Sequence, residues 1–263
     1  MSISAADVKK LRDMTGAGML DCKNALKDAG GDIEAAVTAL RKAGQAKAGK
    51  KADREANEGL CAAKTEGNVG TLVQLQCETD FVAKTDKFKD YLSALVEKTA
   101  ATGENGDVTD AINGAEKDDL INMIATIGEN MKIAKAIRWE SNGACASYLH
   151  ANGRVGVLVD VEGEYDDEIL KHLCMHIAAF SPSYVTSDEV PADVVEKERD
   201  IAAEKAKGKP PEIVEKIVGG VINKWYKEVC LVDQAWIMDD KSTLAKIAPN
   251  LKVKRFARLQ TGA

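Results

Sequence analysis

Aromatic residues are scarce in this sequence, with Phe, Tyr and Trp together making up 5% of 263 residues. An aromatic side chain left on the surface would therefore need a reason. No apolar run approaches the roughly 18 residues that a bilayer-spanning helix requires, and the amino terminus lacks the charged-then-apolar pattern of a secretory leader. Basic residues are not in excess. With 36 Lys and Arg against 42 Asp and Glu the net charge is −6, which argues against bulk contact with a phosphate backbone. The six cysteines, Cys22, Cys61, Cys77, Cys145, Cys174 and Cys230, include no C-x-x-C pair. Each sits in an apolar pattern and reads as a small hydrophobe, so neither a disulfide frame nor a zinc site is indicated. Together these absences imply a soluble protein of a reducing, cytoplasmic compartment, with no membrane span and no direct nucleic-acid partner.

Motifs for covalent chemistry are missing as well. The chain has no G-x-x-x-x-G-K-[ST] loop, no G-x-G-x-x-G after a strand and no G-x-S-x-G elbow. Gly16 and Gly18 precede a helix and could cradle a phosphate, but a tight interhelix turn accounts for them equally well. His172 and His176 lie four apart on one helix face, a spacing that can ligate a metal. No third ligand is placed near them and Cys174 points elsewhere, which makes a structural role the better reading. Nothing assembles a nucleophile, a base and an oxyanion donor, and no cofactor is implied.

What the chain does have is 45% hydrophobic residues, enough for a globular core. Residues 1–45 read as a three-helix bundle. Ser4 with Asp7 forms an N-cap pattern ahead of Val8 and Leu11, Gly30-Gly31 is a left-handed stop, and Asp32 caps a third helix carrying Ile33, Ala36, Val37 and Leu40. The stretch from Lys42 to Glu58 has no apolar face and reads as a solvated linker over 46–58. From residue 59 the period changes to two, and Val73, Leu75 and Cys77 belong to a hairpin turning at Glu66-Gly67-Asn68. Helices follow, one with Phe88, Leu92, Leu95 and Val96 on its inner face and another from about Asp118 to Met131.

The chain then repeats itself, since residues 69–75 resemble residues 155–161 and each copy leads from a hairpin into a helix. This predicts an α+β fold with a core N-subdomain over 59–140 and a core C-subdomain over 141–187 and 229–263. Strand character is expected at Ala235-Trp236-Ile237-Met238 and around Val253. Residues 188–228 read as an inserted antiparallel helical hairpin turning at Gly208-Lys209-Pro210-Pro211. The repeat also allows a comparison. Where the second copy has the polar Glu162-Gly163-Glu164-Tyr165-Asp166-Asp167, the first has Thr79-Asp80-Phe81-Val82. Phe81 and Val82 either form an exposed apolar tip or Phe81 folds back to staple the next helix, and periodicity leaves both readings open.

Residues Leu11 to Leu26, beginning Leu11-Arg12-Asp13-Met14-Thr15-Gly16-Ala17-Gly18, resemble the amino-terminal signature of the elongation factor Ts family, continued at Gly30 to Ala36. Cys77-Glu78-Thr79-Asp80-Phe81-Val82-Ala83 is similar to the family's second signature. Shorter matches lie at Ile127 to Met131, at Met175 to Ala179, and from Gly208 to Val218. The resemblance implies a guanine-nucleotide exchange factor for elongation factor Tu, acting without covalent chemistry and without a cofactor. It implies a ubiquitin-associated-like bundle that contacts the GTPase through Lys9, Arg12, Met19 and Leu20. The Thr79 to Val82 segment would enter beside the GTPase's magnesium site, Phe81 as a wedge and Asp80 disturbing the metal. Ile127, Gly128, Asn130 and His150 match further partner contacts, and the helical hairpin mediates self-association in some members. Two departures stand out. Ala235-Trp236-Ile237 replaces a common Pro-Phe-Val, and the chain stops at Gly262-Ala263 where many members continue into a terminal helix, so that helix's partner contacts are expected to be absent. An adaptor that only docks partners, or an enzyme centred on His172 and His176, are the competing expectations.

Overall fold

A computed structural model describes residues 3–262 and shows a mixed α and β protein with antiparallel strand pairing. The chain divides into two compact units. Among the described residues the first comprises 3–62, 73–138 and 260–262, and the second 63–72 and 139–259.

The first unit opens with α1 (Ala5–Thr15), α2 (Met19–Asp28) and α3 (Ile33–Gly49). The ends of these helices are written in the local chemistry. Ser4 and Asp7 form a reciprocal capping box, Gly16 closes α1 at φ 65°, and the Asp32 side chain accepts from the Ala35 N–H; such caps satisfy amide and carbonyl groups that no helix can satisfy internally. Val8, Leu11, Cys22, Leu26 and Ala36 form the bundle's small core.

The linker expected over 46–58 begins inside a helix instead. The third helix runs to Gly49, and Gly44 and Ala48 are buried. A Cβ on Gly44 would stand 3.4 Å from the Ala125 Cβ. A run of Ala and Gly shows no large apolar stripe, yet small residues are what let two helices approach closely, so this packing face has a weak hydrophobic signature.

Then come β1 (Glu58–Glu66) and β2 (Val69–Cys77), joined by a two-residue turn at Gly67 and Asn68. They are followed by α4 (Asp80–Ala83), α5 (Asp86–Ala100), the two-residue β3 (Gly106–Asp107), α6 (Thr109–Ala115), α7 (Lys117–Ile127) and β4 (Met131–Glu140). The helix expected to reach Met131 stops at Ile127, because Gly128 takes φ 91° and caps it. The four strands lie in the order β1-β2-β4-β3. Their inner face buries Val73, Leu75, Cys77 and Ile133 against Phe88, Leu92 and Leu95 of α5.

The second unit contains β5 (Ala144–His150) and β6 (Val155–Gly163), an antiparallel pair joined by the left-handed turn Ala151-Asn152-Gly153. Next are α8 (Asp167–Phe180), α9 (Ala192–Lys205), α10 (Pro211–Val229), α11 (Leu244–Ile247) and β7 (Leu251–Gln260), which lies beside β6. Thus β7 joins the second strand of one hairpin as β4 joins the second strand of the other. Val157, Val159 and Val161 pack on Leu170, Leu173 and Ile177. The helices α9 and α10 pack through Ala202, Val218 and Ile222. Residues 235–238 are not a strand as expected. Trp236 makes only an isolated bridge to Asp239, its N–H donates to the Ser242 carbonyl at 2.9 Å, and its buried indole stacks on His176.

Candidate functional site

Strand β2 ends at Cys77, and the chain turns through Glu78 into Thr79, whose extended backbone and side chain make it an N-cap accepting from the Val82 N–H at 3.4 Å. Thr85 caps α5 in the same way only six residues later. Between the caps there is room for a single helical turn, α4, rather than the open loop expected. Neighbouring residues on a helix diverge by about 100°, so Phe81 and Val82 cannot both face the core. Val82 packs on it, half-buried. Phe81 is 79% exposed, more than any other large apolar side chain among the described residues. The alternative in which Phe81 staples the following helix is excluded, and Val82 fills that place. The Lys84 ammonium pairs with the Asp80 carboxylate at 2.5 Å and stands 5.8 Å from the centre of the Phe81 ring.

The turn rests on a second segment far away in sequence. Beyond Gly128, the Glu129 carboxylate accepts from the Thr79 N–H at 2.9 Å and from the Thr79 hydroxyl at 2.6 Å. In return the Glu78 carboxylate accepts from the Asn130 N–H at 2.6 Å. The Asn130 amide donates to the carbonyls of Ala52 (3.3 Å) and Arg54 (2.7 Å), the Arg54 guanidinium reaches Glu78 at 3.4 Å, and the Lys51 ammonium donates to the Gly128 carbonyl. Beneath them the Cys77 thiol donates to the Thr79 carbonyl at 3.1 Å. Burial, helped by the nearby Glu129 charge, pushes that thiol up to about 12, so it stays protonated and is no nucleophile.

The expected contact residues Thr79 to Val82 and Ile127, Gly128 and Asn130 therefore lie on neighbouring segments. Ile127 packs half-buried on the core, Gly128 is exposed, and Asn130 is buried with its amide engaged by backbone. In the bundle Lys9, Arg12, Met19 and Leu20 are all exposed, Leu20 at 69%. Met14 is a further exposed apolar side chain of the bundle, at 59%; its sequence signal is an apolar residue lying off the Val8 and Leu11 stripe. The turn between α1 and α2 lies close to α5 and α7, since a Cβ on Gly16 would stand 3.7 Å from the Thr126 hydroxyl and 4.0 Å from the Lys87 ammonium.

His150 belongs to the second unit, where it is exposed at the end of β5 with its Nδ1 3.2 Å from the Tyr148 hydroxyl. His176 is buried, and both its ring nitrogens are used. Nδ1 accepts from the Ile237 N–H at 3.3 Å, which leaves Nε2–H to donate to the Gln234 Oε1 at 2.8 Å. Neither nitrogen is left for a metal. Glu78, Glu129 and Arg54, which hold the turn, carry no sequence signal of that role, because their partners lie as many as 52 positions away.

A family model described as "Elongation factor TS" matches residues 78–263. The chain is 43% identical over 286 residues to "Elongation factor Ts" of Syntrophotalea carbinolica, a match covering 100% of this chain and 94% of that protein. It is 40% identical over 295 residues to the protein of the same name from Trichlorobacter lovleyi, with 100% and 93% covered. To that of Deinococcus deserti it is 42% identical over 266 residues, with 97% and 98% covered.

Proposed function

The chain belongs to the elongation factor Ts family, and from that premise we propose that it drives guanine-nucleotide exchange on elongation factor Tu during translation elongation. The observation that carries the reading is Phe81, an aromatic ring 79% exposed on a turn anchored at both ends. An apolar side chain held out in water gains free energy only when a partner covers it.

The factor binds the GDP-loaded GTPase and weakens its hold on the nucleotide; linkage makes the effect mutual, so nucleotide weakens the factor's binding equally. Phe81 enters between elements of the GTPase beside its magnesium site, while Asp80 perturbs the ion's surroundings. A magnesium ion bridging phosphates is the largest local charge in such a site, and disturbing it loosens the nucleotide. Thr79 caps the turn and Val82 anchors it to the core. Ile127, Gly128 and Asn130 form the adjoining rim. Lys9, Arg12, Met19 and Leu20, with Met14, dock the bundle on the nucleotide domain, and His150 supplies a separate contact from the second unit. The factor makes no covalent bond and uses no cofactor, metal or nucleic acid, and it works in the cytoplasm.

In this reading the three helices through Gly49 are a ubiquitin-associated-like docking domain, 59–140 and the combined 141–187 and 229–263 are related subdomains, and 188–228 is a coiled-coil-like hairpin available for self-association. The test is release of fluorescent GDP from elongation factor Tu. Substoichiometric factor should accelerate release many-fold, and Phe81→Ala should remove most of that acceleration. A parent chain that leaves the release rate unchanged would refute the assignment.

A further inference from the structure

The exchange reading leaves open what aims Phe81, and the geometry answers it. A single helical turn has no stability of its own, because nucleation costs more than one hydrogen bond returns. A ring 79% exposed takes no orientation from packing either. We propose that Glu129, in a reciprocal clasp with Glu78, is the positioning residue that holds the Thr79 to Val82 turn in its exchange-competent geometry, a role that rests on the exchange reading above.

The clasp is symmetrical in its chemistry. The segment after β2 offers the Thr79 N–H and receives the Asn130 N–H, while the segment after α7 does the converse, each through one carboxylate. Glu129 adds a second bond from the Thr79 hydroxyl at 2.6 Å. Two donors on one carboxylate fix direction as well as distance, and charge-assisted bonds of this length are the strong ones. The Thr79 carbonyl is also engaged, by the Cys77 thiol at 3.1 Å and the Ala83 N–H at 3.3 Å. Thr79 is thus fixed at its amide, its hydroxyl and its carbonyl, and the axis of α4 follows from it.

The location of Glu129 argues in the same direction. It lies just past the C-terminal end of α7, where the helix dipole disfavours a carboxylate; the Lys51 ammonium on the Gly128 carbonyl offsets that field. An acidic residue in an unfavourable field is accounted for by the two bonds it makes to Thr79. Preorganisation is what these bonds supply, since a wedge that must be ordered on arrival loses part of its binding energy to that ordering.

The experiment measures GDP release from elongation factor Tu by the full chain, as the maximal rate and the half-saturating factor concentration, beside the thermal midpoint of each variant. Where a supporting shell sets geometry, displacement of about 1 Å costs on the order of a hundredfold, so Glu129→Ala should lower the maximal rate by about 10–100-fold. Its midpoint should stay within about 4 °C of the parent. Glu129→Gln, whose amide oxygen still accepts the Thr79 N–H, should recover most of the rate, and Thr79→Ser, which keeps the hydroxyl, should release GDP faster than Thr79→Val, which loses it. The Phe81→Ala/Glu129→Ala double variant should lose far less than the product of the two single losses, because Glu129 acts on the turn that carries Phe81 and Asp80. Parent-like release by Glu129→Ala, or a double variant showing the full product of both losses, would overturn the proposal while leaving the wedge intact. Should Glu129→Ala fail to fold, Thr79→Val against Thr79→Ser decides, with equal rates overturning it. A Phe81→Ala variant as active as the parent would instead sink the wedge reading, and the clasp with it.

Discussion

Phe81 and Val82 are adjacent in sequence and opposite in setting, and a pair of alanine substitutions should separate their contributions. Phe81 is 79% exposed, so Phe81→Ala removes little buried area and should change folding stability by no more than about 0.5 kcal/mol, as for ordinary surface sites. Val82 packs half-buried on the core formed by α5 and the sheet. At about 0.8 kcal/mol per buried CH2, discounted for partial exposure, Val82→Ala should cost about 0.5–1.5 kcal/mol and lower the unfolding midpoint by roughly 1–6 °C. On the partner the order reverses. Burying the Phe81 ring is worth about 1.5–3 kcal/mol, which at about 1.4 kcal/mol per decade is roughly 10–150-fold in the maximal GDP-release rate. Val82→Ala should alter that rate by less than about threefold, since its side chain faces inward. Stopped-flow release of fluorescent GDP and calorimetric unfolding give the two readouts on the same samples. A slow but stable Val82→Ala alongside a fast Phe81→Ala would refute the assignment of inward and outward faces to this turn.

Two further predictions concern the second unit. Burial holds His176 below its ordinary value of 6.5 against the opposing bond to Gln234, so the folded state favours the neutral ring. Its contribution is fully present above pH about 6.5 and is lost as pH falls toward the folded value, with a slope of up to about 1.4 kcal/mol per pH unit. Denaturant unfolding of His176→Gln at pH 7.5, 6.5 and 5.5 should lack that component, and an unchanged slope would show that His176 is not its source. At Gly163, φ is 93° and a Cβ would lie 2.0 Å from the Asn250 carbonyl oxygen, whereas at Gly67 φ is 59° with open space around it. Gly67→Ala should cost about 1–2 kcal/mol from backbone strain alone, and Gly163→Ala a further 1–3 kcal/mol or so for the clash. Equal urea midpoints for the two would contradict this.

Much of the fold was legible because its signals are local. The capping box of Ser4 and Asp7, the Asp32 cap and the stripe along α5 each involve groups within a few residues of one another. The failures share a different cause. Residues 42–49 look like a linker because Ala and Gly carry little hydrophobic signal, yet Gly44 and Ala48 are buried where α7 comes close. Residues 235–238 alternate like a strand, yet only Trp236 is buried, drawn in by its stack on His176. Tyr165, on the polar turn equivalent to Thr79-Asp80-Phe81-Val82, is itself 42% exposed, so the second copy keeps an aromatic near its turn where none was expected to matter.

The order of residues by itself determined the helix caps, the hairpin turns, the charge balance and the motifs that carry the family resemblance, all of which are set by chain neighbours. It also determined that Phe81 and Val82 would be adjacent. Which of the two would face water was decided by the tertiary structure, through the twist of a single helical turn against a core built from β2 and α5. The clasp of Glu78 and Glu129 was decided there too, because each carboxylate acts on a backbone N–H some fifty residues away. A hydrogen bond depends on distance and direction in space, and no spacing along the chain encodes those until the sheet and α7 have brought the two segments together.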